Sequence, residues 1–151
     1  MKKLTLITAL ALTTMITAPA QAATVAGNFD VNITLTSACI YTKTSDVAFS
    51  YTSFQSTAAS QTTAGGFTVK CTNTLPYTMA LDTSGSYTDL ATNLAYTLTL
   101  SAAGGTGNGS AQSYAVTGSI AANQAGTCAV LGGACTNAAS TNKQRTLTIT
   151  Y

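Results

Sequence analysis

GNFDVNITLTSAC, running from Gly27 to Cys39, alternates with a period of two. Phe29, Val31, Ile33 and Leu35 fall on one face, and Asp30, Asn32 and Thr34 on the other. This is the pattern of a strand with one dry side and one wet side. Val25 extends the dry face upstream, and Gly27 leaves a small gap in it. The stretch lies near the start of the mature chain, where most domains carry a loose tail. Two readings follow. It is the first strand of a closed, self-sufficient sandwich, or it fills the core of a neighbour.

The residues ahead of it read as a targeting signal. Met1-Lys2-Lys3 is a basic start, Leu4 to Thr17 is an apolar run too short to span a bilayer comfortably, and Ala20-Gln21-Ala22 is a small-residue cleavage site. Residues 1–22 are therefore expected to be a secretory signal peptide rather than an uncleaved anchor. No later run approaches the roughly 20 apolar residues of a membrane helix. The expected mature chain, Ala23 to Tyr151, has the size of one ordinary domain, exported and not membrane-embedded.

Without Lys2 and Lys3 the formal charge falls from +2 to zero. Lys43, Lys70, Lys143 and Arg145 balance Asp30, Asp46, Asp82 and Asp89, and there is no Glu. A nucleic-acid partner calls for a basic footprint, which is missing. A near-neutral surface instead suits association, because little repulsion keeps copies apart.

The four cysteines suit an oxidising compartment. Four cysteines allow three pairings. The short Cys128–Cys135 spacing favours a local clip around AVLGGA, which leaves Cys39 with Cys71. Zinc is the competing reading, but the chain has no C-x-x-C and no His.

Period-two patterns recur after the signal. They are DVAFSYTSF (Val47, Phe49, Tyr51), GGFTVKCT (Phe67, Val69, Cys71) and YTMALDTSG (Tyr77, Met79, Leu81). LAYTLTLS (Leu94, Tyr96, Leu98, Leu100), SYAVTGSI (Tyr114, Val116, Gly118, Ile120) and RTLTITY (Leu147, Ile149, Tyr151) follow. With turn-rich clusters such as AAGGTGNGSAQ between them, about seven short strands and an antiparallel β-sandwich are predicted.

Catalytic chemistry finds little to work with. The absence of His removes a Ser–His or Cys–His pair. Scattered Asp residues offer no acid/base pair. Asp82 and Asp89 flank DTSGSYTD, which reads as a polar turn with too few ligands for calcium. Gly104 to Gly109 lacks the Lys of a phosphate-binding loop and reads as a hairpin tip. No enzyme activity and no cofactor are expected. Seven tyrosines could line a sugar site, but most fall in strand register.

In order and spacing the pieces resemble the spore coat protein U domain, the fold of subunits of archaic (Csu-like) chaperone–usher pili. The pieces are VAGNFDVNITLTSAC, GGFTVKC, YTMALD, LAYTLTL, VTGSIAANQ and RTLTITY. Two places depart from the pattern. Thr141 to Arg145 stands where members often carry a G-x-Y-x-D run, and the Cys128–Cys135 segment is unusual.

The resemblance implies an incomplete immunoglobulin-like antiparallel β-sandwich over residues 37–151, preceded by a donor-strand extension over residues 23–36. The donor side chains would be Val25, Phe29, Val31, Ile33 and Leu35, with Gly27 in register. The groove edge would be the last strand, with Leu147, Ile149 and Tyr151. Cys39, bonded to Cys71, would pin the donor's base to the sandwich. A periplasmic chaperone would fill the groove first. At an outer-membrane usher, the donor strand of a neighbouring copy or related pilin would replace it, and the product would be an extracellular fibre serving adhesion and biofilm formation. A secreted coat protein of the same fold and a small carbohydrate-binding lectin are the alternative functions.

Overall fold

The computed structural model describes residues 22–137 and 143–151. The expected signal peptide lies outside the described residues except for Ala22. The chain divides into two units between Thr34 and Leu35. In the first, the described residues carry neither strand nor helix, although their alternation is that of a strand. Extended backbone without a hydrogen-bonded neighbour forms no ladder. Its apolar side chains stand in solvent: Val25 is 98% exposed, Phe29 85% and Ile33 85%.

The second unit is all-β. Nine strands occur among its described residues: β1 Cys39–Ser45, β2 Ala59–Ser60, β3 Gly65–Cys71, β4 Pro76–Leu81, β5 Ser86–Asp89, β6 Leu94–Leu100, β7 Gly104–Thr106, β8 Gln112–Ile120 and β9 Leu147–Thr150. They form two antiparallel sheets in a sandwich. The larger runs β1-β3-β8-β6-β5, with β2 also paired to β8, and the smaller runs β7-β4-β9.

Register sorts the side chains. Tyr41 faces Val69, Phe67 faces Tyr114, Val116 faces Leu100 and Ile120 faces Tyr96. These residues share the inner side of the large sheet. Thr68, Thr97, Thr117 and Ser119 share the wet outer side, where their hydroxyls meet water at no cost. The buried core gathers Phe67, Val69, Cys71, Tyr77 and Met79, with Leu147 and Ile149 of β9 packed against it. Tyr77 donates to Gln112 (2.8 Å) and shares a 2.5 Å hydrogen bond with Tyr114. Burial, then the Tyr114 hydroxyl, pushes the Tyr77 hydroxyl up to about 12.

Three expectations need correction. DVAFSYTSF forms no strand; it makes one isolated bridge, Ala48 to Thr63. Its alternation still has a physical cause, since Val47, Phe49 and Tyr51 are partly buried while Ala48 and Ser50 are exposed. AAGGTGNGSAQ is not only a hairpin tip, because Gly104–Thr106 forms β7 against β4. A Cβ on Gly104 would collide with the Tyr77 carbonyl, so glycine permits that close pairing. The strand count is also higher, since β1, β2, β5 and β7 carry too short or too polar a pattern to stand out in the sequence.

Candidate subunit-assembly groove

Two sheet edges meet one cleft. Among the described residues, β1 has β3 as its one ladder partner, and β9 has β4. Each therefore presents unpaired backbone groups on its free side, a template for another strand. A cleft of about 920 Å³ lies between β1 and the start of β9. Tyr41 and Lys43 of β1, continued by Val47, Phe49 and Tyr51, line one rim. Lys143 to Leu147 line the other, and Phe67, Val116, Ile120, Leu94, Tyr96 and Leu98 make the floor.

The floor is apolar but incompletely covered. All four inward residues of β6 (Leu94, Tyr96, Leu98 and Leu100) are only half-buried, as are Val116 and Leu147. A closed sandwich would bury such a row, because each large apolar side chain gains roughly 1.5–3 kcal/mol on leaving water.

The ladders also give the cleft a length. Tyr41 is level with Val69, and Val69 with Gln112. Ile120 lies eight positions further along β8 and is level with Tyr96, and Leu94 lies two beyond that. From Tyr41 at its rim to Leu94 the cleft thus spans ten residue steps, about 33 Å of strand. Phe49 sits in the middle of it. Gly118 makes the room, since a Cβ there would lie 2.8 Å from the Phe49 ring and 2.8 Å from Leu98.

The β9 rim is clamped at its start. The Arg145 guanidinium lies 4.7 Å from the Tyr87 ring centroid and 5.6 Å from that of Tyr96, and its Nε donates to the Tyr96 hydroxyl at 2.7 Å. Tyr87 and Tyr96 stack on each other at 5.2 Å. Tyr87 donates to both the carbonyl (2.8 Å) and carboxylate (2.7 Å) of Asp82. Burial, then Asp82, pushes the Tyr87 hydroxyl up to about 12. Burial also raises Tyr96, with Arg145 opposing.

Asp82 in turn exchanges hydrogen bonds with Thr146: its N–H to the Thr146 carbonyl at 3.1 Å, and Thr146 N–H to its carboxylate at 3.3 Å. The turn after it holds Thr83, Ser84 and Gly85 at φ 47°, 55° and 79°. Two left-handed non-glycine residues cost about 1–2 kcal/mol each, which these bonds offset.

Asp89, 4% exposed, stands at the Leu94 end. Its Oδ1 accepts from Thr92 N–H (2.7 Å), Thr92 Oγ1 (2.8 Å) and Ala91 N–H (3.1 Å). Oδ2 has no strict partner among the described residues, although the Asn137 side chain lies near enough to favour the ionised form. Burial alone would raise this carboxyl. The Thr92 bonds, helped by Asn137 and Ala91, outweigh it and hold the group below the usual carboxylate range.

A family model, the Spore Coat Protein U domain, matches residues 25–149. The chain belongs to that family. The match begins at Val25 and so takes in the alternating segment together with the spore coat U sandwich. Comparison with curated proteins and with solved structures returned no match.

Within this spore coat U domain the residues singled out in the sequence are placed as follows. Leu147 and Ile149 lie on β9 with their side chains toward the core, while Tyr151 falls just past the strand and is exposed. Cys39 is bonded to Cys71, directly opposite it in the β1–β3 ladder, and Cys128 to Cys135. Val25, Phe29, Val31, Ile33 and Leu35 are all exposed, and Gly27 has open space around it. Asp82 and Asp89 are occupied by separate hydrogen bonds rather than by a shared site.

Tyr41 and Lys43 carry no strand signal in the sequence, because Lys43 interrupts the apolar alternation of CIYTKTS. At the rim, Lys43 can reach water and pair with Asp46 at 2.8 Å, which raises its pKa. Arg145 is equally silent in the sequence. A lone Arg before a strand carries no signal until tyrosines from two other strands converge on it.

Proposed function

We propose that this protein is a structural subunit of an extracellular pilus or fimbria, assembled by donor-strand exchange through a chaperone–usher pathway. One observation carries this reading. A cleft with an apolar floor, ten residue steps from Tyr41 to Leu94, opens between two strands that each have a single ladder partner among the described residues, and the same chain carries an exposed apolar alternation of equal length, Val25 to Leu35. Family membership adds to it.

A strand entering beside β9 finds main-chain partners along the free edge and a dry floor for alternate side chains. Val25, Phe29, Val31, Ile33 and Leu35 share the required parity. Five such plugs are worth on the order of 10 kcal/mol before ordering costs. That is comparable to the whole stability of a domain. An unfilled subunit is therefore marginal and adhesive, and a filled one resists unfolding. Donation from each copy to the next does not close on itself, so it builds a filament.

In this scheme residues 1–22 direct export, residues 23–36 are the donor and residues 37–151 the receiving sandwich. A periplasmic chaperone holds the groove until an outer-membrane usher hands it to the next subunit. The fibre then serves adhesion and biofilm formation at the cell surface.

The test is an SDS gel of protein sheared from the surface of the native host, one sample unheated and one boiled. A ladder that collapses to monomer on boiling is expected. Monomer in both lanes would overturn strand exchange and favour a coat protein of the same fold.

A further inference from the structure

The Cys128–Cys135 loop has no part in the core, yet its tip is strongly apolar. Leu131 is 102% exposed and Val130 56%. The disulfide closes the loop, Thr127 N–H anchors it to the Thr92 carbonyl at 2.6 Å, and Gly126 packs near Leu94. Its base, Cys135 to Asn137, lines the Leu94 end of the cleft. A pre-closed loop loses little entropy when it binds, so an exposed leucine there is a ready anchor.

We propose that this loop is a second contact between successive copies of the chain, with Val130 and Leu131 of one copy docking on the β1 base of the next, around Ile40. The proposal rests on the donor-strand reading and specifies its geometry. Every ladder among the described residues is antiparallel. β9 starts beside Arg145, at the Tyr87–Tyr96 end, and runs toward Tyr151. A guest strand antiparallel to it places Val25 at the Tyr41 end and Leu35 at the Leu94 end, beside the loop.

Little chain then separates the guest strand from its own sandwich. Ala38 is already fixed, its N–H donating to the Thr72 hydroxyl and its carbonyl accepting from Thr72 N–H, both at 3.0 Å. Leu35 to Ala38 is three residue steps, at most about 11 Å. The guest's sandwich must therefore abut the host's loop. The surface it brings there is the Cys39–Cys71 end of β1 and β3, where Ile40 is 60% exposed. An apolar tip thus meets an apolar residue, and the occupant is a second copy.

The experiment places a photo-crosslinking phenylalanine analogue at Leu131 of the full chain, assembled on cells with its own chaperone and usher. Irradiation is expected to give a ladder that survives boiling, with position 131 joined to residues 38–43 of another copy. The same probe at Thr117, on the exposed outer face of the large sheet, is expected to give no such ladder. An unheated ladder that irradiation leaves fully boil-sensitive, or adducts mapping elsewhere, would overturn the loop contact alone. Absence of the unheated ladder from unsubstituted protein would overturn the strand-exchange reading and the contact with it.

Discussion

Ile33→Asp separates folding from assembly. In the chain itself Ile33 is 85% exposed, so the substitution removes no buried contact. Its effect on the stability of the sandwich should stay within about 0.5 kcal/mol. In a neighbour's cleft the same side chain would lie on the half-buried floor. Its loss there forfeits roughly 1.5–3 kcal/mol of transfer energy, and an unpaired carboxylate entering that site costs several kcal/mol more. Together that is about 5 kcal/mol or more, on the order of a thousandfold to ten-thousandfold in the insertion equilibrium. Asn32→Asp is the matched control, placing the same charge one residue away on the wet face. The assay is the unheated SDS ladder from the cell surface, with periplasmic monomer measured alongside to show export. Ile33→Asp should abolish the ladder and leave monomer present; Asn32→Asp should keep it. A normal ladder from Ile33→Asp, or equal loss from both, would refute the parity argument.

The two disulfides should differ in weight. Removing Cys39–Cys71, which closes a separation of 32 residues, should cost about 3–4 kcal/mol. Removing Cys128–Cys135, with a separation of 7, should cost about 2–3 kcal/mol, and urea midpoints of paired Cys→Ala variants test the order. Arg145→Ala strips the cation from Tyr87 and Tyr96 together with a charged hydrogen bond, and should lower stability by about 1–3 kcal/mol. Arg145→Lys should recover only part of this in thermal unfolding, because an ammonium lacks the planar face that stacks on the rings. The folded-state pKa of Asp89 lies below its unfolded value, so its ionised form stabilises the fold. That contribution is complete above the ordinary Asp value of about 3.9 and is lost as pH falls through the lower folded value. Asp89→Asn should therefore flatten the acid side of the stability–pH curve, and an unchanged slope below pH of about 4 would show that Asp89 contributes nothing there.

Much of this protein is written in local pattern. Period-two alternation marks β3, β4, β6, β8 and β9 and says which side of each is dry. The cysteine spacings point to the two bridges found. The same alternation marks Val25 to Leu35 as a strand with a dry face, and there local pattern runs out. It states that a face must be covered but not by what. In Val47 to Tyr51 it marks a cleft rim that forms a single bridge, and Lys43 conceals the edge strand opposite. Those outcomes depend on pairing between residues far apart in the chain. Arg145 meets Tyr87 and Tyr96 only once β5 and β6 have paired and β9 has docked on β4. Whether the sandwich is open is likewise a property of strand order. Among the described residues β1 and β9 each end with one neighbour, and the ten-step cleft exists only after both sheets have formed. Side-chain chemistry along the chain determined which faces seek burial. The arrangement of edges in space decided that one length of dry floor stays uncovered.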